Sequence, residues 1–97
     1  MDIRRLVLDV DKAVKRPSLI ELAQAIDKCD GVEAFNITVE EIDIETVGMI
    51  VTVEGEYLDY DKIAQAIENT GAVVHSIDQV VVGSRLIECV RPARQSH

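Results

Sequence analysis

The chain is written twice. Leu22-Ala23-Gln24-Ala25-Ile26-Asp27 returns as Ile63-Ala64-Gln65-Ala66-Ile67-Glu68, forty-one residues later, and a glycine follows each copy, Gly31 and Gly71. An apolar run precedes each copy, Leu6-Val7-Leu8-Asp9-Val10 and Met49-Ile50-Val51-Thr52-Val53, and a matching segment follows each glycine. Each half therefore reads strand–helix–strand. Two such units with right-handed crossovers predict an α+β, ferredoxin-like βαββαβ sandwich. Its antiparallel sheet has order 4-1-3-2 and carries both helices on one face. The 97 residues suffice for one domain over 1–90, with 91–97 as a flexible C-terminal tail.

Local chemistry supports each element. Ser18 with Glu21 three residues on is a capping box, and Leu19, Leu22, Ala23 and Ile26 then repeat at helical spacing. Asp59 starts the second helix, with Leu58 and Ile63 placed as a hydrophobic staple and Ile63, Ala64 and Ile67 as its buried stripe. Both helices are short and need a sheet to hold them.

The strands alternate with period two. Leu6, Leu8 and Val10, then Phe35, Ile37 and Val39, then Val47, Met49, Val51 and Val53 each share a face, and His75 takes the place of Phe35 in the fourth strand. The phase slips after Glu40 and again near Gln79, which predicts bulges there, and Glu45-Thr46 is the expected hairpin turn. The side without helices should carry Ile3, Val7, Ala34, Asn36, Thr38, Ile50, Thr52 and Ser76, a mixture that suits a subunit contact or a ligand shelf. Leu86-Ile87-Glu88-Cys89-Val90 reads as one more short strand outside the repeat. Such a strand needs an edge, and addition to a neighbouring subunit makes the chain a homo-oligomer.

Charge narrows the function. Ten Lys and Arg against eighteen Asp and Glu give −8, and aromatic residues are 3%, so neither a phosphate-binding surface nor a base-stacking platform is supplied. No apolar run reaches membrane length, and the chain opens with charge rather than a signal-peptide core; a cytoplasmic protein is expected. Cys29 and Cys89 lie sixty residues apart without metal-ligand spacing and should be reduced, buried small hydrophobes.

From Glu40 to Asp61 there are eight acids and no Lys or Arg. Topology sends Asp43 and Glu45 to the end where Lys12, Lys15 and Arg16 can compensate them. Glu54, Glu56, Asp59 and Asp61 emerge at the other end with few positive charges nearby, which makes them candidate ligands for Ca²⁺ or Mg²⁺. The simpler alternative is a solvated helix start, where acids complement the helix dipole. His75, Ser76 and Asp78 are the one polar constellation inside a strand and the candidate ligand-binding set. No nucleophile–base set is plainly assembled, so no catalytic residue is assigned.

Arg4-Arg5-Leu6-Val7-Leu8-Asp9-Val10, Gly31-Val32 with Asn36-Ile37, and His75-Ser76-Ile77-Asp78 with Val80-Val81 and Gly83 resemble the small archaeal proteins of domain-of-unknown-function family two-eleven. The resemblance implies a cytosolic, ferredoxin-like protein that assembles into closed rings of identical subunits and has no established activity. A divalent cation or a peptide is the kind of ligand it implies. The expected function is a non-enzymatic, homo-oligomeric binding module for a small ligand or divalent cation at subunit boundaries. The alternatives are a small enzyme with a composite intersubunit site around His75 and Asp78, and a structural ring that docks a peptide.

Overall fold

Alternation in the two most apolar runs sets the layers. The computed structural model describes residues 1–91, and its elements are β1 (Ile3–Ala13), α1 (Leu19–Asp27), β2 (Val32–Ile42), β3 (Thr46–Gly55), α2 (Tyr60–Asn69) and β4 (Val73–Val82). All strand pairs are antiparallel in the order β2-β3-β1-β4, the ferredoxin-like arrangement. Leu6, Leu8 and Val10 of β1 and Met49, Val51 and Val53 of β3 point to one side. There they bury Leu22 and Ile26 of α1 and Ile63 and Ile67 of α2. The duplicated hexapeptides thus supply equivalent core positions. Each such side chain contributes about 1.5–3 kcal/mol through burial.

The helix starts follow their sequence signals. Ser18 Oγ accepts from the Glu21 N–H at 3.1 Å while Glu21 Oε1 accepts from the Ser18 N–H at 3.0 Å, a complete capping box. Asp59 Oδ1 accepts from the Lys62 N–H at 3.2 Å, and Leu58 is buried against the core beside Ile63.

The strands depart from simple alternation in five places, one of them at the start of β2, where Glu33 is the extra residue. β2 has a register shift between Val39 and Glu41, the slip expected after Glu40. In β4 the slip expected near Gln79 falls at Asp78, and a second extra residue, His75, lies before it, so that Val74 and not His75 faces the core beside Val10. In β1 the extra residue is Arg4, which turns Ile3 to the helix side; Ile3 therefore joins the core instead of the open face. The β2–β3 hairpin turns over Asp43–Glu45, closed by the Asp43 N–H donating to the Thr46 carbonyl at 2.8 Å, and Thr46 already belongs to β3.

Leu86–Val90 forms no strand. Arg5 Nη1 holds the Glu88 carboxylate at 2.8 and 2.9 Å, and Arg85 and Leu86 line a hollow with Glu33, Glu54 and Gly55. The segment is thereby held over the sheet at Arg5 and is not paired along an edge. Of the tail expected over 91–97, residues 92–97 lie outside the described residues.

Candidate functional site

The helices leave one side of the sheet open. Read from β4 across β1 and β3 to β2, that side presents four cross-strand rows: Val73–Asp11–Gly48–Glu41, Ser76–Asp9–Ile50–Thr38, Gln79–Val7–Thr52–Asn36 and Val81–Arg5–Glu54–Ala34. With Ile3 excepted, the residues expected on this side are there. The rows also show a polarity that the sequence pattern left hidden. Asp9, Asp11 and Glu41 gather towards one end and Arg5 stands at the other.

At the acidic end Gly48 has no side chain, and Asp11 and Glu41 flank the gap from either side. With Ile42, Asp43 and Thr46 they line a polar hollow of about 490 Å³. Lys12, expected to neutralise the hairpin, points to the other side of the sheet. It is buried there, and its ammonium donates to the carbonyls of Ala13 and Val14 at 3.1 and 3.0 Å. Among the described residues Asp11, Glu41 and Asp43 form no ion pair. Asp9 and Asp11 could have been found from sequence by their i, i+2 spacing on the polar side of β1.

At the other end Arg5 lies flat on the sheet. Its Nε donates to Glu54 Oε2 at 2.8 Å and its Nη1 to Glu88, with Gln79 Oε1 at 3.3 Å. The Glu88 carboxylate, and after it Glu54, holds the guanidinium further above its already high pKa. Arg4 ties together the strand ends there, pairing with Asp2 at 2.9 Å and Glu56 at 3.4 Å and donating through Nε to the Gly83 carbonyl at 2.8 Å.

These contacts disperse the acids expected to bind a cation. Glu54 is held by Arg5, Glu56 by Arg4, Asp59 caps α2 and Asp61 sits in that helix's first turn. Among the described residues no three His, Cys, Asp or Glu side chains come together as a metal site. The physical reason is the arginine pair, which reaches two of the β3–α2 acids, Glu54 and Glu56. Of the expected ligand-binding set, Ser76 and Asp78 do meet, the Ser76 hydroxyl donating to Asp78 Oδ1 at 2.8 Å. His75 is exposed on the β4 bulge and stays outside that bond.

On the helix side a shallow groove of about 410 Å³ runs between α1 and α2, lined by Ala25, Lys28, Cys29, Lys62, Ala66 and Asn69. The Cys29 thiol is half-buried and donates to the Ala25 carbonyl at 3.6 Å; burial, and then Asp30, pushes its pKa up. Cys89 is exposed, contrary to the expectation of a buried thiol, because its segment lies on the surface. No described helix is long and apolar enough to cross a membrane.

Comparison with known proteins finds similarity over nearly the whole chain. An uncharacterised protein of Methanocaldococcus jannaschii, MJ0319, is 43% identical over 95 residues, covering 98% of this chain and 97% of its own length. The DUF211 family model, described as uncharacterized ArCR, matches residues 4–96, from the arginine pair through the segment that carries Glu88. The chain belongs to the DUF211 family of uncharacterised archaeal proteins.

Proposed function

We propose that this chain is a non-enzymatic, homo-oligomeric binding module that takes a small ligand or divalent cation where subunits meet. One observation carries the reading. β4 is an edge strand, and Val73, Ile77, Val80 and Val82 along it are between 43% and 55% exposed. An apolar edge of this length invites another chain, and natural sheets blunt such edges when they work alone. β4 carries one charged side chain, Asp78, and no lysine.

The same edge adjoins the open side, so a second copy on β4 stands next to Ser76, Asp78, Asp9 and Asp11. A hard divalent cation needs six to eight oxygens. One chain gathers too few, and carboxylates from two copies across a boundary would complete the set. A chain of charge −8 resists self-association unless such repulsion is offset, which gives the cation a structural role as well.

Native mass spectrometry with and without calcium tests both parts. The expected result is a multiple of the 10.7 kDa subunit, with calcium adding whole ions per interface. A single-subunit species at every concentration would overturn the assembly. An assembly that takes up no divalent ion at millimolar calcium would remove the cation and leave the small ligand.

A further inference from the structure

The chain beyond β4 is held in place by very little. Gly83 donates its N–H to the Asp2 carbonyl at 2.9 Å and turns the chain at φ 127°, a conformation that favours glycine. From Ser84 to Arg91 no backbone hydrogen bond forms among the described residues. The anchor is Glu88, whose two carboxylate oxygens both accept from Arg5 Nη1.

The two partners are unequally prepared. Arg5 is part of the folded sheet: its side chain is 15% exposed and fixed from the other side by Glu54. Glu88 is 68% exposed on a segment with no ladder. A single ion pair open to solvent holds such a segment weakly. The apolar residues around it gain little from the contact, since Leu86, Ile87 and Val90 remain 41%, 59% and 86% exposed. The receptor is built and its occupant is only resting on it.

We infer that Arg5 is the receptor for Glu88 of a second copy, and that Leu86–Val90 is a segment exchanged between subunits, the contact within one chain being its closed form. The inference rests on the oligomeric reading above and names the residues that would join the copies. The occupant already on Arg5 is this chain's own segment, and every copy carries the same one. Exchange therefore keeps the ion pair and joins two copies through the contact that one chain already makes. The short turn at Gly83–Arg85 favours that outcome, because a short connection limits how the segment can settle on its own sheet.

Charge reversal separates exchange from a contact within the chain. Arg5→Glu and Glu88→Arg each place like charges together, both within one chain and between identical copies. Mixed, each variant offers the other the complementary partner, but only between chains. Light scattering and native mass spectrometry should show wild-type assembly, roughly tenfold or greater weakening in each variant alone, and mixed complexes carrying both masses on combination. Variants that keep the wild-type mass would overturn the inference while leaving the oligomer standing. So would a mixture that fails to assemble although the doubly reversed chain does, since that pattern belongs to a contact within one chain. A wild type that is itself a single subunit would remove the oligomeric reading and this inference with it. Should Arg5→Glu fail to fold beside Glu54, Glu88→Gln takes its place, because it removes the carboxylate without touching the sheet; an unchanged assembly would again be decisive against exchange.

Discussion

The carbonyl oxygen of Gly31 occupies the space that a side chain on Gly55 would need. The same oxygen accepts the Glu56 N–H at 3.0 Å, so the start of β2 and the end of β3 are clasped backbone to backbone. A methyl group on Gly55 must push one strand off the other, and neither neighbour is a flexible side chain. Gly55→Ala should therefore lose about 2 kcal/mol or more in urea unfolding. Gly48→Ala is the contrast. Its added methyl would meet Asp11 Oδ1 at 3.4 Å, an ordinary contact with a movable side chain, and stability should stay within about 0.5 kcal/mol.

The duplication makes a paired prediction. Leu22 and Ile63 hold the same place in the two hexapeptides and both are fully buried against the sheet. Leu22→Ala and Ile63→Ala should each cost about 2–5 kcal/mol, and the two costs should be similar. Far apart values in denaturant melts would mean that the halves do not share the core equally.

Much of this architecture was legible because burial has a period. β1 and β3 are covered on one side only, so their alternation gave the face of every residue from Leu6 to Val10 and from Val47 to Val53. The arginine pair escaped for a related reason. Arg4 is an extra residue in its strand, and a bulge beside two charged side chains leaves no apolar pattern to betray it; simple alternation therefore puts Ile3 on the open side. Charge alone does not place Lys12, because its carbon stem can bury on an apolar side while the ammonium finds carbonyls. The Arg5–Glu54 pair was within reach, since both fall on the open side of neighbouring strands once the β1–β3 register is known. Glu88 was not. Its five-residue neighbourhood has strand composition, and only a long-range ion pair decides where it lies.

The capping box gives a pH dependence with a definite sign. The Ser18 N–H, and then its hydroxyl, holds Glu21 below the ordinary carboxylate pKa, with Arg16 adding in the same direction. A depressed folded-state value means that the contribution is present above the unfolded carboxylate pKa and is lost as the pH falls through the folded one. Glu21→Gln keeps the acceptor oxygen but not the charge. Its stability should vary less than wild type over that acidic window, measured by thermal melts at stepped pH. Ser18→Ala should lose about 1 kcal/mol at neutral pH, where the box is fully formed.

His75 discriminates between the binding module and an enzyme. It is exposed on a bulge, apart from the Ser76–Asp78 hydrogen bond, and supports no core residue. His75→Ala should leave stability within about 0.5 kcal/mol of wild type and leave the assembly mass unchanged. Asp78→Asn, which weakens the acceptor of Ser76, should alter ligand or cation uptake without changing the melt. Loss of assembly in His75→Ala would instead place that ring in the subunit contact.

The two cysteines should report on the two sides of the molecule. The thiolate is the form that reacts, and burial followed by Asp30 raises the Cys29 pKa, so less of it is present near neutrality. Its sulfur is also half covered in the groove beside α2. Cys89 is exposed and lies next to Glu88. A thiol reagent added to dilute chain should therefore modify Cys89 first and Cys29 slowly, with the Cys29 rate rising towards alkaline pH. Unfolding in denaturant should erase the difference, because both thiols then share one solvent environment. Equal rates in the folded protein would mean that the groove opens far more often than its packing suggests.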